Sequence, residues 1–230
     1  MTMKPNRSQE SVFLGGEGDA WFSRNKHVLV PGKADDPVIH ALTLAGLSPA
    51  TVLEVGCSNG YRLEAIRRLT GCRATGVEPS TSAIADAKQR FPDIELLNGT
   101  LEALPIERGR RFDLVICNFV LHWVSRGALM ASLAEIDRTV ADGGCLIVGD
   151  FLPNSPMRVP YHHLAGQGVY TFKQDYARAF TSTGLYREVV RLVGDHATHR
   201  VSVDVAPNDR SVVVLLQRHE QDYYHQIDMP

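Results

Sequence analysis

The chain has 230 residues, a length that suits one α/β domain with a full core. Hydrophobic residues make up 44% and charged residues 22%, a globular balance that excludes a disordered chain. With 24 Lys+Arg against 26 Asp+Glu the formal net charge is −2, which argues against a nucleic-acid partner because phosphate binding needs clustered excess base.

In chain order, residues 1–35 read as an N-terminal arm or lid, with glycines, Trp21 and Phe22 among charged residues. From Thr51 strand-like and helix-like stretches alternate. Thr51 to Val55 predicts a strand, Gly56 to Gly60 a turn, and Tyr61 to Thr70 a helix, with Leu63, Ile66 and Leu69 at helical spacing. Arg73 to Glu78 predicts a second strand and Ser80 to Arg90 a helix with Ser80 or Thr81 as N-cap. Ile94 to Leu97 and Asp113 to Asn118 predict two more strands, the latter with the continuous apolar centre of a strand buried on both faces. Leu129 to Val140 predicts a helix, stopped at Asp142-Gly143-Gly144, and Cys145 to Gly149 a fifth strand.

The later chain reads differently. Three prolines punctuate an aperiodic segment from Phe151 to about Tyr170, taken as a substrate-side insertion over 151–172. Lys173 to Thr183 predicts a helix, Arg187 to Val193 and Ser211 to Gln217 two strands, and Val201 to Val205 a possible extra one. Residues 221–230 read as a loose tail. The βαβα order predicts a doubly wound, mostly parallel, seven-stranded Rossmann-like sheet over 36–220, with an antiparallel edge hairpin. Cys57, Cys72, Cys117 and Cys145 form no C-x-x-C pair and read as buried thiols, so no metal is expected. The polar start, and the absence of any apolar run near the ~20 residues of a membrane helix, predict a cytoplasmic chain with no membrane partner.

The strongest chemical signal is the glycine loop Glu54-Val55-Gly56-Cys57-Ser58-Asn59-Gly60. Glycines at a strand-to-helix turn let backbone approach a ligand, and Glu78, 18 residues after Gly60, stands where such folds hold a ribose by its hydroxyls. The same loop also fits the G-x-S-x-G nucleophile elbow, but no HGGG-type oxyanion loop precedes it and the first strand is too early for that fold.

This arrangement resembles class I S-adenosylmethionine-dependent methyltransferases, over Thr51 to Asp150. Glu54 to Gly60 is similar to the first motif of that family, with Ser58 in place of its middle glycine. Phe112 to Asn118, Leu121 to Val124 and Arg138 to Gly144 match its later motifs. The resemblance implies an S-adenosylmethionine site from Glu54, Gly56, Ser58, Gly60 and Glu78, with Glu54 towards the methionine end and Asn118 beside the fourth strand. One departure concerns the adenine. Thr100 stands where the family carries an acid before Leu-Pro, so adenine contact falls to the Thr100 hydroxyl or to backbone at Leu101.

Methyl transfer from a sulfonium needs alignment and exclusion of water, and a hydroxyl acceptor also needs a base. His162, His163 and His122 are the base candidates, since imidazole titrates near neutrality. Trp21, Arg24 and Asn25 of the arm, with Tyr161, Tyr170 and Lys173 of the insertion, are the substrate-side candidates. The arm and the segment from Arg158 to Lys173 are also similar to methyltransferases of polysaccharide and sugar modification. The expectation is thus methylation of a small polar acceptor, first of all a hydroxyl of a sugar, nucleotide-sugar or glycan intermediate. Two other readings stand beside it. One is methylation of nucleic acid or protein, disfavoured because Asn118-Phe119-Val120-Leu121 replaces the Asn/Asp-Pro-Pro-aromatic tetrad. The other is a non-catalytic methyltransferase-like binding subunit. Nothing in the sequence specifies an oligomeric state.

Overall fold

A computed structural model of the chain describes residues 8–32, 35–220 and 227, so the expected tail over 221–230 lies almost wholly outside the described residues. The arm is helical: α1 (Gln9–Val12) and α2 (Gly18–Asn25) flank a wider turn broken at Gly16, whose φ is 128°. Ser8 caps α1 by accepting from the Ser11 amide at 3.1 Å. A helix that the sequence reading did not anticipate, α3 (Pro37–Leu44), follows, with Pro37 in its first turn and Asp36 accepting from the Val38 amide.

The sheet then builds in chain order: β1 (Thr51–Val55), α4 (Tyr61–Thr70), β2 (Arg73–Glu78), α5 (Thr81–Arg90), β3 (Glu95–Asn98) and β4 (Phe112–Asn118). Next come α6 (Leu129–Asp137) and β5 (Val140–Phe151). The later elements are β6 (Met157–Pro160), β7 (Tyr170–Lys173), α7 (Ala177–Thr181), β8 (Tyr186–Asp195) and β9 (Arg210–Arg218). Seven strands form one sheet in the order β3-β2-β1-β4-β5-β9-β8. The first five are parallel, and β9 runs antiparallel to both its neighbours.

Alternation along the strands explains the two-sided core. Leu53, Val115, Leu146 and Val214 point to one face, against Leu133 and Ile136 of α6 and Phe180 of α7. Val52, Leu114, Ile147 and Leu215 point to the other, against Val38 and Leu42 of α3 and Leu63 and Ile66 of α4. Strand order reverses between β1 and β4, so the connections leaving their carboxyl ends diverge and open a crevice.

Three expectations are corrected. The expected helix from Lys173 shrinks to α7, because Tyr170–Lys173 is β7, which pairs antiparallel with β6 as a second small sheet inside the segment read as aperiodic. The α6 helix stops at Asp137, and β5 already pairs at Val140 with Phe112, across a register shift that accommodates the Asp142-Gly143-Gly144 turn. Val201 makes only a single bridge to Gly194 and no strand forms over Val201 to Val205. The expected antiparallel hairpin is present at one edge of the sheet, with β9 pairing on β5 and β8 outermost.

Candidate active site

A cavity of about 910 Å³ lies at the carboxyl ends of β1, β2 and β4. At one end the glycine loop forms its floor. Gly56 has φ 72° and a Cβ there would stand 2.4 Å from the Val120 side chain, so no larger residue fits without displacing it. Ser58 takes a left-handed conformation, φ 50°, and its buried Oγ has no hydrogen-bond partner. Gly60, also left-handed, does not line the cavity; it starts α4 and packs by Ile94.

Glu78 ends β2 and accepts from two backbone amides, Ser58 N to Oε2 and Ser80 N to Oε1, each at 2.9 Å. Burial pushes its carboxyl up to about 7, against the pull of those two amides. The expected N-cap is present: Ser80 Oγ accepts from the Ala83 amide at 3.1 Å. It also donates to Asp19 at 2.6 Å, which ties α2 to the start of α5 and, with the Ser82 amide, holds the Asp19 carboxyl below its usual range.

Glu54 does not line the cavity. It is buried behind Arg62, whose guanidinium bonds Glu54, Asp36 (2.8 Å) and the Tyr61 hydroxyl (2.8 Å). Burial raises Glu54 to about 7 despite Arg62, and its Oε2 has no partner. Arg62 and Asp36 form the cavity wall that Glu54 supports. The pairing was not legible in the sequence because Asp36 precedes α3, far from the loop, and only the fold joins them.

Asn118 lines the cavity with an unpartnered Oδ1, lying where a Cβ on Gly149 would be, 1.9 Å away. Phe119 follows with φ 55°, an unfavourable value for a phenylalanine that turns the chain sharply off β4. His122 sits in the next turn. Its Nδ1 lies 3.1 Å from Oδ1 of Asp150, a residue 1% exposed at the end of β5. The Asp150 carboxylate also accepts from the His122 and Phe151 amides, at 3.1 and 2.8 Å, so it is fixed from three sides. That contact leaves His122 Nε2 as the ring nitrogen free to meet a ligand. Phe119, Phe151 and His196 pack around it, with ring centroids 4.7 to 5.2 Å apart. Lys173 Nζ sits 4.1 Å from the Phe151 ring centroid. Burial lowers both His196 and Lys173 from their usual ranges.

The arm closes the opposite side. Trp21 and Asn25 line the cavity, whereas Phe22 is buried with Leu29 and Ala83 and anchors α2. Arg24 does not line the cavity: it bonds Glu17 and the Tyr161 hydroxyl, which itself donates to Glu17 at 2.8 Å. Tyr161, His162 and His163 do line it, on the turn after β6. Alternation along β7 explains the rest. Thr171 and Lys173 face the cavity, while Tyr170 faces away, under Arg158 at 4.9 Å. Thr100 and Leu101 line the far end beyond Glu78.

The sequence reading missed Asp150, Phe119, Phe151, His196, His199, Arg62, Asp36 and Glu10. Asp150 carried a usable signal, because an acid at the carboxyl end of a central parallel strand faces the crevice. His196 and His199 carried none, being on a polar loop between β8 and β9 whose course depends on how β9 inserts.

Residues 52–144 match the profile of a methyltransferase domain. A demethylmenaquinone methyltransferase of Beutenbergia cavernae is 35% identical over 45% of this chain and 41% of its own length. A trans-aconitate 2-methyltransferase of Paracidovorax citrulli is 29% identical over 49% of this chain and 43% of its own. The chain thus spans less than half the length of these curated relatives. Among solved structures, the 1,6-didemethyltoxoflavin-N1-methyltransferase of Burkholderia thailandensis superposes with a TM-score of 0.70 at 17% identity, covering 96% of this chain and 94% of that one. The magnesium protoporphyrin IX methyltransferase of Synechocystis PCC 6803 gives 0.66 at 15% identity, covering 91% and 99%. Strand order, glycine loop and profile agree: residues 52–144 are similar to a methyltransferase domain, and the chain has the fold of the class I S-adenosylmethionine-dependent methyltransferases.

Proposed function

We propose that this protein transfers a methyl group from S-adenosylmethionine to an ionisable hydroxyl on a small, flat acceptor, with His122 as general base. The observation that carries this reading is the His122–Asp150 pair, which opens on the same cavity as the glycine loop and Glu78. When bound, the cofactor supplies a methyl group on a positively charged sulfur, already activated for displacement.

The cavity residues fit that group. The backbone of Gly56 to Ser58 lets it approach closely, and Glu78 has lone pairs left for ribose hydroxyls. Ser58, a residue of the cavity wall, carries a buried Oγ with no partner, the kind of atom that a ligand satisfies. Asp36 lines the cavity and keeps a carboxylate oxygen beyond the one that Arg62 bonds, which suits the ammonium of the methionine end. Glu54 acts here through Arg62 and is a positioning residue.

On the acceptor side, His122 Nε2 takes the hydroxyl proton as the oxygen attacks, and Asp150 stabilises the imidazolium through Nδ1. Trp21, Trp123, Tyr161 and Phe151 exclude water from the site. The wall of Phe119, Phe151 and His196 favours a flat ring over a sugar, and a relative named as a ubiquinone biosynthesis O-methyltransferase supports methylation at oxygen. A sugar hydroxyl, the acceptor first expected, fits this aromatic wall less well than a ring hydroxyl. His162 and His163 lie on an exposed turn, and burial and the charge on Arg24 lower His163; we assign them to acceptor contact. Titration with S-adenosylhomocysteine tests the cofactor half, and turnover on a panel of phenols and hydroxyquinones tests the other. No binding at millimolar ligand overturns the first. Binding with no turnover on any acceptor favours the non-catalytic reading.

A further inference from the structure

Beyond Glu78 the cavity continues towards the carboxyl end of β3, where Gly99, Thr100, Leu101 and Glu102 form one wall and Glu10 of α1 the other. A nucleoside held by Glu78 through its ribose sets its base there, since the crevice runs along the strand ends. An adenine presents an exocyclic amine with two donors, which needs an acceptor. Besides the Glu102 carboxyl, the loop supplies a hydroxyl at Thr100. That hydroxyl donates to Oε1 of Glu10, brought from 90 residues earlier in the chain.

Glu10 is fixed in place by its neighbour. Gln9 donates to the Trp123 carbonyl at 2.6 Å and accepts from the Tyr170 amide at 2.8 Å, so α1 is pinned between the turn after β4 and the β7 strand. Burial and then Glu10 beside it raise the Glu102 carboxyl, so the two acids sit close enough for an added donor between them to relieve their repulsion. The unpartnered Ser58 Oγ, on a residue 7% exposed in the same cavity, independently marks this as a ligand-binding space.

We propose that Glu10 of the arm, held by the Thr100 hydroxyl, is the adenine-amine acceptor, supplying the carboxylate absent from position 100. Glu102 is a positioning residue that shapes the charge on Glu10. The inference rests on the S-adenosylmethionine reading. It also means that the arm contributes directly to cofactor binding, and that cofactor selectivity is lost when the arm is displaced.

The test is calorimetric titration of S-adenosylhomocysteine and of its inosine-base analogue, in which a carbonyl replaces the amine. Wild type is expected to prefer the adenine form by about tenfold or more, the worth of a hydrogen bond to a charged acceptor. Glu10→Ala should abolish that preference, Glu102→Gln should keep it, and Thr100→Asp added to Glu10→Ala should restore it. Circular dichroism of each variant checks that the fold is retained, and the analogue comparison on wild type needs no variant. Equal binding of the two ligands by wild type overturns the proposal, as does an unchanged preference in Glu10→Ala. Absence of any S-adenosylhomocysteine binding overturns the cofactor reading and this inference together.

Discussion

The two ends of the cavity are built differently. The end over β1 and β2 is made of backbone: the loop Gly56 to Ser58, the amides that meet Glu78, and glycines where a Cβ has no room. Its residues lie within 25 positions of one another, and their spacing is set by one strand-turn-helix-strand unit. The end over β4 and β5 is made of side chains, His122 with its partner Asp150, Phe151, Lys173 and His196, drawn from four separate segments. A local backbone site tolerates little change and says what class of ligand it takes. A site assembled from distant side chains is open to substitution and holds the acceptor specificity.

The sharpest way to break that comparison is at His122. His122→Ala should lower kcat about 10²–10⁴-fold, the range for losing a general base, while S-adenosylhomocysteine affinity stays within about threefold. A matched loss of affinity would mean that the two ends are not separable. Glu78→Ala should show the reverse split, with cofactor affinity falling about 10–100-fold by calorimetry, as for a lost charge-assisted hydrogen-bond pair. Gly56→Ala should have a similar effect, because a methyl group there meets Val120 at 2.4 Å and the left-handed φ is strained for alanine.

A smaller effect comes from protonation. The Glu78 carboxyl is raised from 4.5 to about 7, so between those values the folded chain holds a proton that the unfolded chain has released. Its contribution to stability is therefore full below about pH 4.5 and is lost as pH rises through about 7, by about 1–3 kcal/mol. The difference in melting temperature between wild type and Glu78→Gln should shift in that sense between about pH 5 and about pH 8. Ribose hydroxyl donors favour the ionised form, so S-adenosylhomocysteine affinity should rise over the same interval. The smallest effect is expected at the arm. Tyr161→Phe removes the bond to Glu17 and should raise KM for the acceptor a few fold, in line with about 0.5–1.5 kcal/mol for one hydrogen bond, with kcat little changed.

Much of the parallel half was legible. Strands β1 and β4 are buried apolar runs, and Ser80 performs the capping that its position suggested. The β6–β7 hairpin was not, because its prolines and its aromatic residues mask a period of two over only four residues per strand. Side-chain direction on those strands decided which candidates reach the cavity: Lys173 does, and Tyr170, three positions earlier on the opposite face, does not. Glu54 was read as a ligand contact. The fold instead buries it behind Arg62, whose partner Asp36 comes from another part of the chain.

By itself the sequence determined the parallel sheet, the glycine loop and the acid at the end of β2, since these depend on periodicity and spacing within one or two neighbouring elements. Only the tertiary structure decided that Asp150 orients His122, that β9 enters the sheet between β5 and β8, and that the arm brings Glu10 to Thr100. These contacts join residues 28 to 90 positions apart or depend on strand insertion, and long-range pairing is set by how whole faces pack, which no local pattern encodes.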